Sequence, residues 1–283
     1  MRRLVADRTV IVFDYRGAGA SEPEMCTSLQ MTLFNVRALD LSLKERQAVE
    51  RGAFMACRDE MLRQGVDLGA YHASSISADL EELRRALGYK CWNLVGGSYG
   101  TRVALAALRT APTSIRSVIL VNPVSQQESH VVHAVANIAR TLGLVFDACA
   151  ADPSCHRRFP QLERDFYEAH AGLAREPLTL PVDPAWSSPL SFTVNAADYM
   201  WIISEILNGE ATLPAFPLAV QAFKNRESST VTSLLRRIAG DPSQHYSLGL
   251  TYAAHCYRDG TPESRLEWEE LAKQHPEPLH DLG

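Results

Sequence analysis

Three short, mostly apolar runs interrupt the first 125 positions of the chain. They occupy residues 9–13, 91–95 and 117–121, and each is bounded by charged, polar or glycine-rich sequence. Short apolar runs rich in β-branched residues are typical of strands covered on both faces, as in a parallel sheet. The pattern therefore predicts three buried strands in this part of the chain.

Helical patterns alternate with these runs. Residues 42–64, 77–87 and 99–110 contain good helix formers, and the last segment is rich in alanine, as suits a helix packed closely on a sheet. Residues that end helices follow the three segments, at Gly65, Gly88 and Pro112. Alternation of strands and helices predicts an α/β fold with a parallel sheet.

The pattern changes in the second half of the chain. Long helical segments such as residues 130–150 and 159–174 dominate it, and we find no convincing buried strand there. We therefore predict two domains: a partial parallel-sheet core at residues 1–125 and a mostly helical cap region at residues 126–283.

Composition narrows the classes of function. The 283 residues are 46% hydrophobic and 22% charged, as in ordinary globular proteins. A net charge of -5 without lysine- or arginine-rich runs argues against nucleic acid as a partner. No apolar run approaches the roughly 20 residues that span a bilayer. Metal-ligand spacings such as CxxC are also missing, so we expect neither metal nor cofactor.

The second predicted strand runs into a G-x-S-x-G pattern, Gly96-Gly97-Ser98-Tyr99-Gly100. This pattern is typical of a strained turn between a strand and a helix, where small residues let the two elements pass closely. The serine hydroxyl then projects at the top of the sheet. We predict that Ser98 is a nucleophile and that the backbone N–H of Tyr99 is one oxyanion-hole donor. The alternative is a glycine-rich turn with an incidental serine.

The chemistry of such a turn is acyl transfer. The serine oxygen attacks a carbonyl, a histidine takes its proton and an acid orients that histidine. A second oxyanion donor usually comes from a loop after an earlier strand, which here would precede Met1. Asp14 also precedes the serine, whereas triad partners follow it in chain order. We therefore interpret Asp14 and Arg16 as residues that hold the loop bordering the site.

Three segments carry a family resemblance that extends over residues 9–123. They read Asp-x-Arg-Gly-x-Gly-x-Ser-x-Pro at residues 14–23, Ala-Asp-Leu-Glu-Glu-Leu-Arg at 78–84 and Gly-Ser-Tyr-Gly-Thr-Arg at 97–102. They are similar to the prolyl aminopeptidase and tripeptidyl aminopeptidase branch of the α/β-hydrolases. The resemblance is weaker across the cap. It implies an α/β-hydrolase fold and an enzyme that releases residues from peptide N-termini.

The resemblance also implies a location and two disulfides. Many members of the branch are secreted or periplasmic, although the first residues here lack the apolar core of a signal peptide. The implied disulfide pairs are Cys26 with Cys57 and Cys149 with Cys155. From the residues alone, Cys149 and Cys155 flank a turn-like stretch, and free, partly buried thiols are the alternative.

Three parts of the family's machinery are not identified in this sequence. Members carry a His-Gly-Gly-Pro-Gly-like oxyanion loop upstream, then an aspartate in a Gly-x-x-Asp-Pro-like turn and a Gly-His pair after the cap. Asp152-Pro153 and Asp241-Pro242 both fall within the cap region. The triad acid and base are therefore unknown, and we expect the chain to be an incomplete member of the family.

For the remaining candidate residues, which are histidines and acidic residues, we expect structural roles. Eight histidines follow Ser98, and for each we expect a surface or core role: His130, His133, His156, His170, His245, His255, His275 and His280. The branch often uses acidic cap residues to hold a substrate's α-amine. Asp198, Glu205 and Glu210 are candidates for that role, but we expect each to be solvated on a helix surface.

Three hypotheses for function follow. The first is an aminopeptidase acting through an acyl-enzyme on Ser98, with a peptide substrate. The second is a carboxylesterase with the same nucleophile, including a triad rewired around a cap histidine. The third is a catalytically incomplete homologue, whose uncovered sheet would expose apolar surface and promote self-association. The sequence leaves the substrate and the oligomeric state open.

Overall fold

The chain forms two compact units that are discontinuous in sequence. The computed structural model describes residues 8–125, 132–181, 191–239, 247–256 and 262–282. The first, which we call the sheet unit, comprises Met1–Thr27, Ala56–Gln126 and His245–Tyr257. The second, the helical unit, comprises Ser28–Met55, Gln127–Gln244 and Arg258–Gly283. The predicted domain boundary at residue 125 stays a prediction.

The helices and strands of the described residues have the following bounds. The helices are α1 (Leu29–Arg37), α2 (Leu43–Arg63), α3 (Ala73–Ala86), α4 (Tyr99–Thr110), α5 (Ala134–Ala151), α6 (Pro153–Arg158), α7 (Leu162–Arg175), α8 (Ala196–Asn208), α9 (Phe216–Lys224), α10 (Ser228–Ala239), α11 (Leu248–Cys256) and α12 (Pro262–Ala272). The strands are β1 (Trp92–Gly97), β2 (Ile115–Val121), β3 (Leu178–Leu180) and β4 (Phe192–Val194). Short 3₁₀ helices occupy Leu68–Ala70, Pro112–Ser114, Leu213–Ala215 and Glu277–Leu282.

Helices α2, α3 and α4 confirm the three helices predicted in the first half of the chain. Gly65 follows α2 with φ +79° and Gly88 follows α3 with φ +75°. Glycine adopts this left-handed conformation without steric cost, so it ends a helix readily. Local sequence was therefore sufficient to place these elements.

Strands β1 and β2 form a parallel pair, and this confirms the predicted parallel sheet. Val95 lies opposite Ile119 in the register. Helix α4 covers one face of the pair, where Leu94 packs with Ala104 and Ala107. The small alanine side chains allow the helix backbone to approach the sheet closely.

The predicted burial of these strands is wrong for the other face of the pair. Val95 is 64% exposed and Ile119 is 56% exposed. The predicted first strand is also wrong: residues 9–13 have no assigned strand, and Val12 is 77% exposed. An extended segment becomes a strand only where a neighbour pairs with its backbone, and no described segment pairs with residues 9–13. Self-association through this apolar surface stays a prediction.

Two disulfides are present in the structure. Cys26 is bonded to Cys57 across 31 positions, and Cys149 is bonded to Cys155 across six positions. These are the pairs that the family resemblance implied. The first ties the loop that follows residue 13 to α2, and the second joins α5 to α6.

We expect the longer disulfide to contribute more to stability. A cross-link removes conformational entropy from the unfolded chain, and this loss increases with the logarithm of the number of residues in the closed loop. Replacing both Cys26 and Cys57 by serine should lower the free energy of unfolding by about 4 kcal/mol, and the same change at Cys149 and Cys155 by about 2 kcal/mol. Denaturant unfolding under oxidising conditions measures both. An equal loss from the two pairs would contradict the expectation.

Large apolar side chains fill the core of the helical unit. Phe166, Phe216 and Tyr199 are fully buried there, and burying such a side chain contributes about 2–3 kcal/mol. The Tyr199 hydroxyl donates to the carbonyl oxygen of Phe166 at 3.3 Å, which satisfies its polar group. Burial raises the pKa of Tyr199 well above its ordinary value, so the phenol stays neutral.

The helical unit contains two strands that the sequence patterns did not reveal. Strands β3 and β4 pair antiparallel, with Leu180 opposite Phe192. Leu180 and Phe192 are buried in the core of the unit. Each strand has only three residues, which is too short for an alternating pattern to stand out. The expectation that this half lacks a buried strand was therefore wrong.

One described helix, α5, is long and apolar enough to cross a membrane by length and composition alone, with a mean hydropathy of 1.3. It buries Val135, Leu142 and Cys149 in the core of the helical unit. Only 22% of its apolar window is buried, and a single helix of this kind is weak evidence of a membrane span.

Candidate active site

Ser98 lies at the turn between β1 and α4, in the sheet unit. Its backbone has φ 48° and ψ -119°, a strained conformation for a residue other than glycine. The N–H of Ser98 donates to the carbonyl oxygen of Val121 at 3.0 Å, and Thr101 Oγ1 donates to the carbonyl oxygen of Ser98 at 2.6 Å. These bonds hold the strained turn from both sides, and Ser98 itself is exposed.

The turn requires glycine at position 96. A Cβ at Gly96 would lie 2.5 Å from the carbonyl oxygen of Gly100, because β1 and α4 pass closest there. At Gly97, by contrast, a Cβ would meet nothing within 4 Å. The two adjacent glycines therefore have different roles, in agreement with the motif, in which position 96 is a fixed glycine and position 97 is variable.

We expect Gly96→Ala to destabilise the sheet unit by about 1–3 kcal/mol, because the contacting atom belongs to the backbone and cannot rotate away. Gly97→Ala is the matched control and should change stability by less than about 0.5 kcal/mol. Thermal or denaturant unfolding of the two variants measures the difference. Equal losses would show that the close approach of β1 and α4 does not limit this position.

The beginning of α4 gives Ser98 a positive electrostatic environment. Tyr99 is the first residue of the helix, and the N–H groups of a first turn have no partner within the helix itself. The helix dipole adds partial positive charge at the same end. An oxygen that acquires negative charge beside Ser98 would be stabilised by both effects.

Two tyrosine rings lie at this turn. The Tyr15 ring lies edge-on to the Tyr99 ring, with centroids 6.4 Å apart, and its hydroxyl oxygen lies 3.0 Å from the position a Cβ would occupy at Gly100. Burial raises the pKa of Tyr15, so its phenol is neutral at physiological pH. The loop that carries Tyr15 therefore contacts the turn directly.

Asp14 and Arg16 fix that loop. Asp14 Oδ2 accepts a hydrogen bond from the N–H of Ala20 at 3.0 Å. Arg16 Nε and Nη2 donate to the two carboxylate oxygens of Asp79 at 2.7 and 2.5 Å. The same guanidinium donates to the carbonyl oxygen of Ala70 at 3.1 Å. These contacts match the structural role predicted for both residues, and Asp79 is a partner that the sequence did not indicate.

His255, on α11, is a residue near the turn that sequence reasoning missed. Its ring lies 5.8 Å from the Tyr99 ring, centroid to centroid. From the sequence we expected a surface or core role for it, as for the other histidines, and only the packing of α11 within the sheet unit brings it here. No pattern in the sequence would have selected it from the other histidines.

Other predicted candidates lie elsewhere in the structure. His170 Nε2 lies 2.8 Å from Asp281 Oδ2 within the helical unit. Asp152 caps α6 by accepting from the N–H groups of Ser154 and Cys155. His130, His245 and Asp241 lie outside the described residues.

Of the three carboxylates considered for holding a substrate's amine, only Asp198 differs from expectation. Asp198 is completely buried, with Arg46 Nη1 2.7 Å from its Oδ1, so the expected solvated position was wrong. Glu205 and Glu210 are exposed. Since an arginine already pairs with Asp198, that carboxylate is not available to an amine.

The described residues do not place a base or an acid against the serine. The Ser98 hydroxyl makes no hydrogen bond within the described parts of the chain, and no group of three metal-ligating side chains occurs there. The structure therefore brings together the turn, the helix terminus, Tyr15 and His255. The acid and base of a triad stay unidentified.

Comparison with known proteins agrees with this geometry. A family model described as "alpha/beta hydrolase fold" matches residues 2–174, more than half of the chain. The protein therefore belongs to the α/β-hydrolase fold family. Its parallel sheet and its mostly helical remainder are consistent with this family.

A curated relative points to the same class. The chain is 28% identical over 225 residues to a protein of Escherichia coli (strain K12) named "Putative hydrolase YuaR". The match covers 76% of this chain, which spans 41% of the length of that relative. The printed name of that relative describes a hydrolase.

Proposed function

We propose that this protein is a serine hydrolase of the aminopeptidase type, with Ser98 as its nucleophile. The observation that carries the proposal is the backbone of Ser98, whose φ of 48° holds an exposed hydroxyl between β1 and α4. Strain at a residue other than glycine persists only where surrounding contacts enforce it, and it clusters at functional sites. An incidental serine in a glycine-rich turn would have no need of this conformation.

The reaction is acyl transfer in two steps. Ser98 Oγ forms a bond to the substrate's carbonyl carbon while a base takes the hydroxyl proton, and the carbonyl oxygen becomes an oxyanion. The backbone N–H of Tyr99 and the helix dipole of α4 stabilise that oxyanion. The bond to the amine then breaks, and the amine leaves with the proton. Water hydrolyses the resulting acyl-enzyme and restores the serine.

His255 is the first histidine to test as the base, because its ring lies against the residue that follows Ser98. Replacing His255 or His170 by alanine distinguishes a role of His255 at the serine from a general effect of losing a histidine. His170 is the matched control, since its imidazole pairs with Asp281 in the helical unit. If hydrolysis of a p-nitrophenyl ester persists in His255→Ala, another group accepts the proton.

The peptidase assignment rests on the family resemblance, and a carboxylesterase with the same nucleophile is the second candidate. Three substrates distinguish the aminopeptidase from the carboxylesterase. They are a tripeptide p-nitroanilide with a free amine, its N-acetylated counterpart and p-nitrophenyl acetate. An aminopeptidase should prefer the free amine over the acetylated peptide by at least about tenfold in kcat/KM. Hydrolysis of the ester alone would identify an esterase. A folded protein inert toward all three substrates would favour a catalytically incomplete homologue.

A further inference from the structure

The hydroxyl of Thr101 connects the serine turn to the loop that follows β2. Thr101 lies in the first turn of α4 and is fully buried. Its Oγ1 donates to the carbonyl oxygen of Ser98 at 2.6 Å and accepts from the backbone N–H of Val124 at 3.0 Å. One side chain therefore bonds to the backbone of both segments.

The chemistry of the two partners fixes the direction of both bonds. A backbone N–H such as that of Val124 can only donate, and the carbonyl oxygen of Ser98 can only accept. The threonine hydroxyl has one proton and two lone pairs, so it serves both partners at the same time. Because a buried polar group that loses its partner is costly, the hydroxyl favours one arrangement of the two segments.

The second bond distinguishes Thr101 from an ordinary threonine in a helix. Such a threonine commonly donates to a carbonyl oxygen of the preceding turn. Thr141 and Thr232 do so, each to the residue four positions earlier. Thr101 also accepts from Val124, which is 23 positions away and outside the helix. Its hydroxyl therefore connects two separate segments, which a bond inside one helix cannot do.

Two further hydrogen bonds hold the same loop against the serine turn and α4. The N–H of Ser98 donates to the carbonyl oxygen of Val121 at 3.0 Å. Nε of Arg102, a residue that is 4% exposed, donates to the carbonyl oxygen of Ser125 at 3.1 Å. The segment from residue 121 to residue 125 is therefore anchored near both ends, and Thr101 anchors it between them.

We propose that Thr101 is a positioning residue for the nucleophile, because its hydroxyl fixes the strained backbone of Ser98 against the loop after β2. This inference rests on the proposed function, since it assigns Thr101 a role in the reaction of Ser98. The carbonyl oxygen that Thr101 holds is that of Ser98 itself, so the bond restrains the ψ angle of -119° at the nucleophile. A displacement of about 1 Å in a reacting group can lower the rate about 100-fold.

Substitutions that separate the hydroxyl of Thr101 from its methyl group test this role. Valine keeps the shape without the hydroxyl, and serine keeps the hydroxyl without the methyl group. Thr101→Val should lower the second-order rate constant of labelling by a fluorophosphonate probe about 10–100-fold. In the hydrolysis of p-nitrophenyl acetate, kcat should fall by the same factor while KM changes less than about twofold, because the transition state loses an oriented oxygen. Thr101→Ser should stay within about threefold of the wild type.

Thr110→Val is the matched control. The Thr110 hydroxyl donates to the carbonyl oxygen of Ala106 at the other end of the same helix, so its removal should leave labelling and hydrolysis unchanged. Circular dichroism establishes that each variant is folded. Wild-type rates in Thr101→Val, or equal losses in Thr101→Val and Thr101→Ser, would overturn the proposal.

Amide hydrogen exchange measured by NMR tests the same contact without any reaction. Val124 lies outside the helices and strands, so Thr101 is the partner that should protect its N–H. We expect slow exchange at Val124 in the wild type and exchange at least about tenfold faster in Thr101→Val. Unprotected exchange at Val124 in the wild type would overturn the role of Thr101, even if no variant at this position folds.

The two measurements separate a failure of this inference from a failure of the proposed function. A folded wild type that reacts with neither probe nor ester, but protects Val124, would reject Ser98 as the nucleophile. The role of Thr101 in the reaction would then fall with it, and only a structural contact would remain. A reactive wild type with an unprotected Val124 would overturn the role of Thr101 alone.

Discussion

Ser98→Ala is expected to abolish covalent labelling by a fluorophosphonate probe and to lower the rate of ester hydrolysis at least ~1000-fold. The probe reacts when a serine oxygen displaces fluoride from phosphorus, so labelling requires an activated hydroxyl. In this chain the hydroxyl of Ser98 is exposed at a strained turn and lies at the beginning of α4. Mass spectrometry of the labelled peptide identifies the modified residue, and gel fluorescence measures the extent of labelling.

Ser229→Ala provides the matched control. Ser229 is also exposed and lies in the first turn of a helix, α10, but its own position is inside the helix and not at a positive-φ turn before it. Its removal should leave labelling unchanged. If well-folded wild-type protein takes up no probe, or if labelling survives in Ser98→Ala, the proposed nucleophile is wrong. Far-ultraviolet circular dichroism establishes that both variants are folded.

Arg46→Met is expected to have the largest effect on stability, with a loss of about 3–5 kcal/mol at neutral pH. The side chain of Asp198 is completely buried, with Arg46 Nη1 2.7 Å from one of its oxygens. Methionine fills a similar volume but leaves the carboxylate without this opposite charge. Denaturant unfolding measures the loss. Arg37→Met is the control, since Arg37 is 3.9 Å from Asp198 and more exposed, and it should cost about 1 kcal/mol or less.

Two further measurements test the cause of that loss. Adding Asp198→Asn to Arg46→Met should recover most of the stability, because no charge is then left buried.

The second measurement is the pH dependence of stability. Burial already raises the pKa of Asp198 in the native protein, although Arg46 opposes this increase. Removing Arg46 should raise that pKa further. The folded variant then binds a proton that the unfolded chain releases, so its stability should fall as pH rises above about 4. A loss independent of pH would point to packing instead.

The sequence by itself determined the elements that depend on nearby residues. Helices α2, α3 and α4 follow from helix formers and from the residues that end them, and a helix is stabilised by bonds between residues four apart. The strained turn at Ser98 follows from small residues at fixed spacing around one serine. The structural roles of Asp14 and Arg16 were also predicted, because Asp14 precedes Ser98 whereas the partners of such a serine follow it in chain order.

Only the tertiary structure decided which distant segments meet. Residues 9–13 have a strand-like composition but no strand, since a strand requires a backbone partner that composition does not specify. His255 reaches Tyr99, and Arg46 pairs with Asp198, across separations that no local period records. Asp198, which we expected to be solvated, is instead buried and pairs with an arginine. Local sequence thus defined the serine turn. Long-range packing decided which charged groups pair with each other and which imidazole lies against Tyr99.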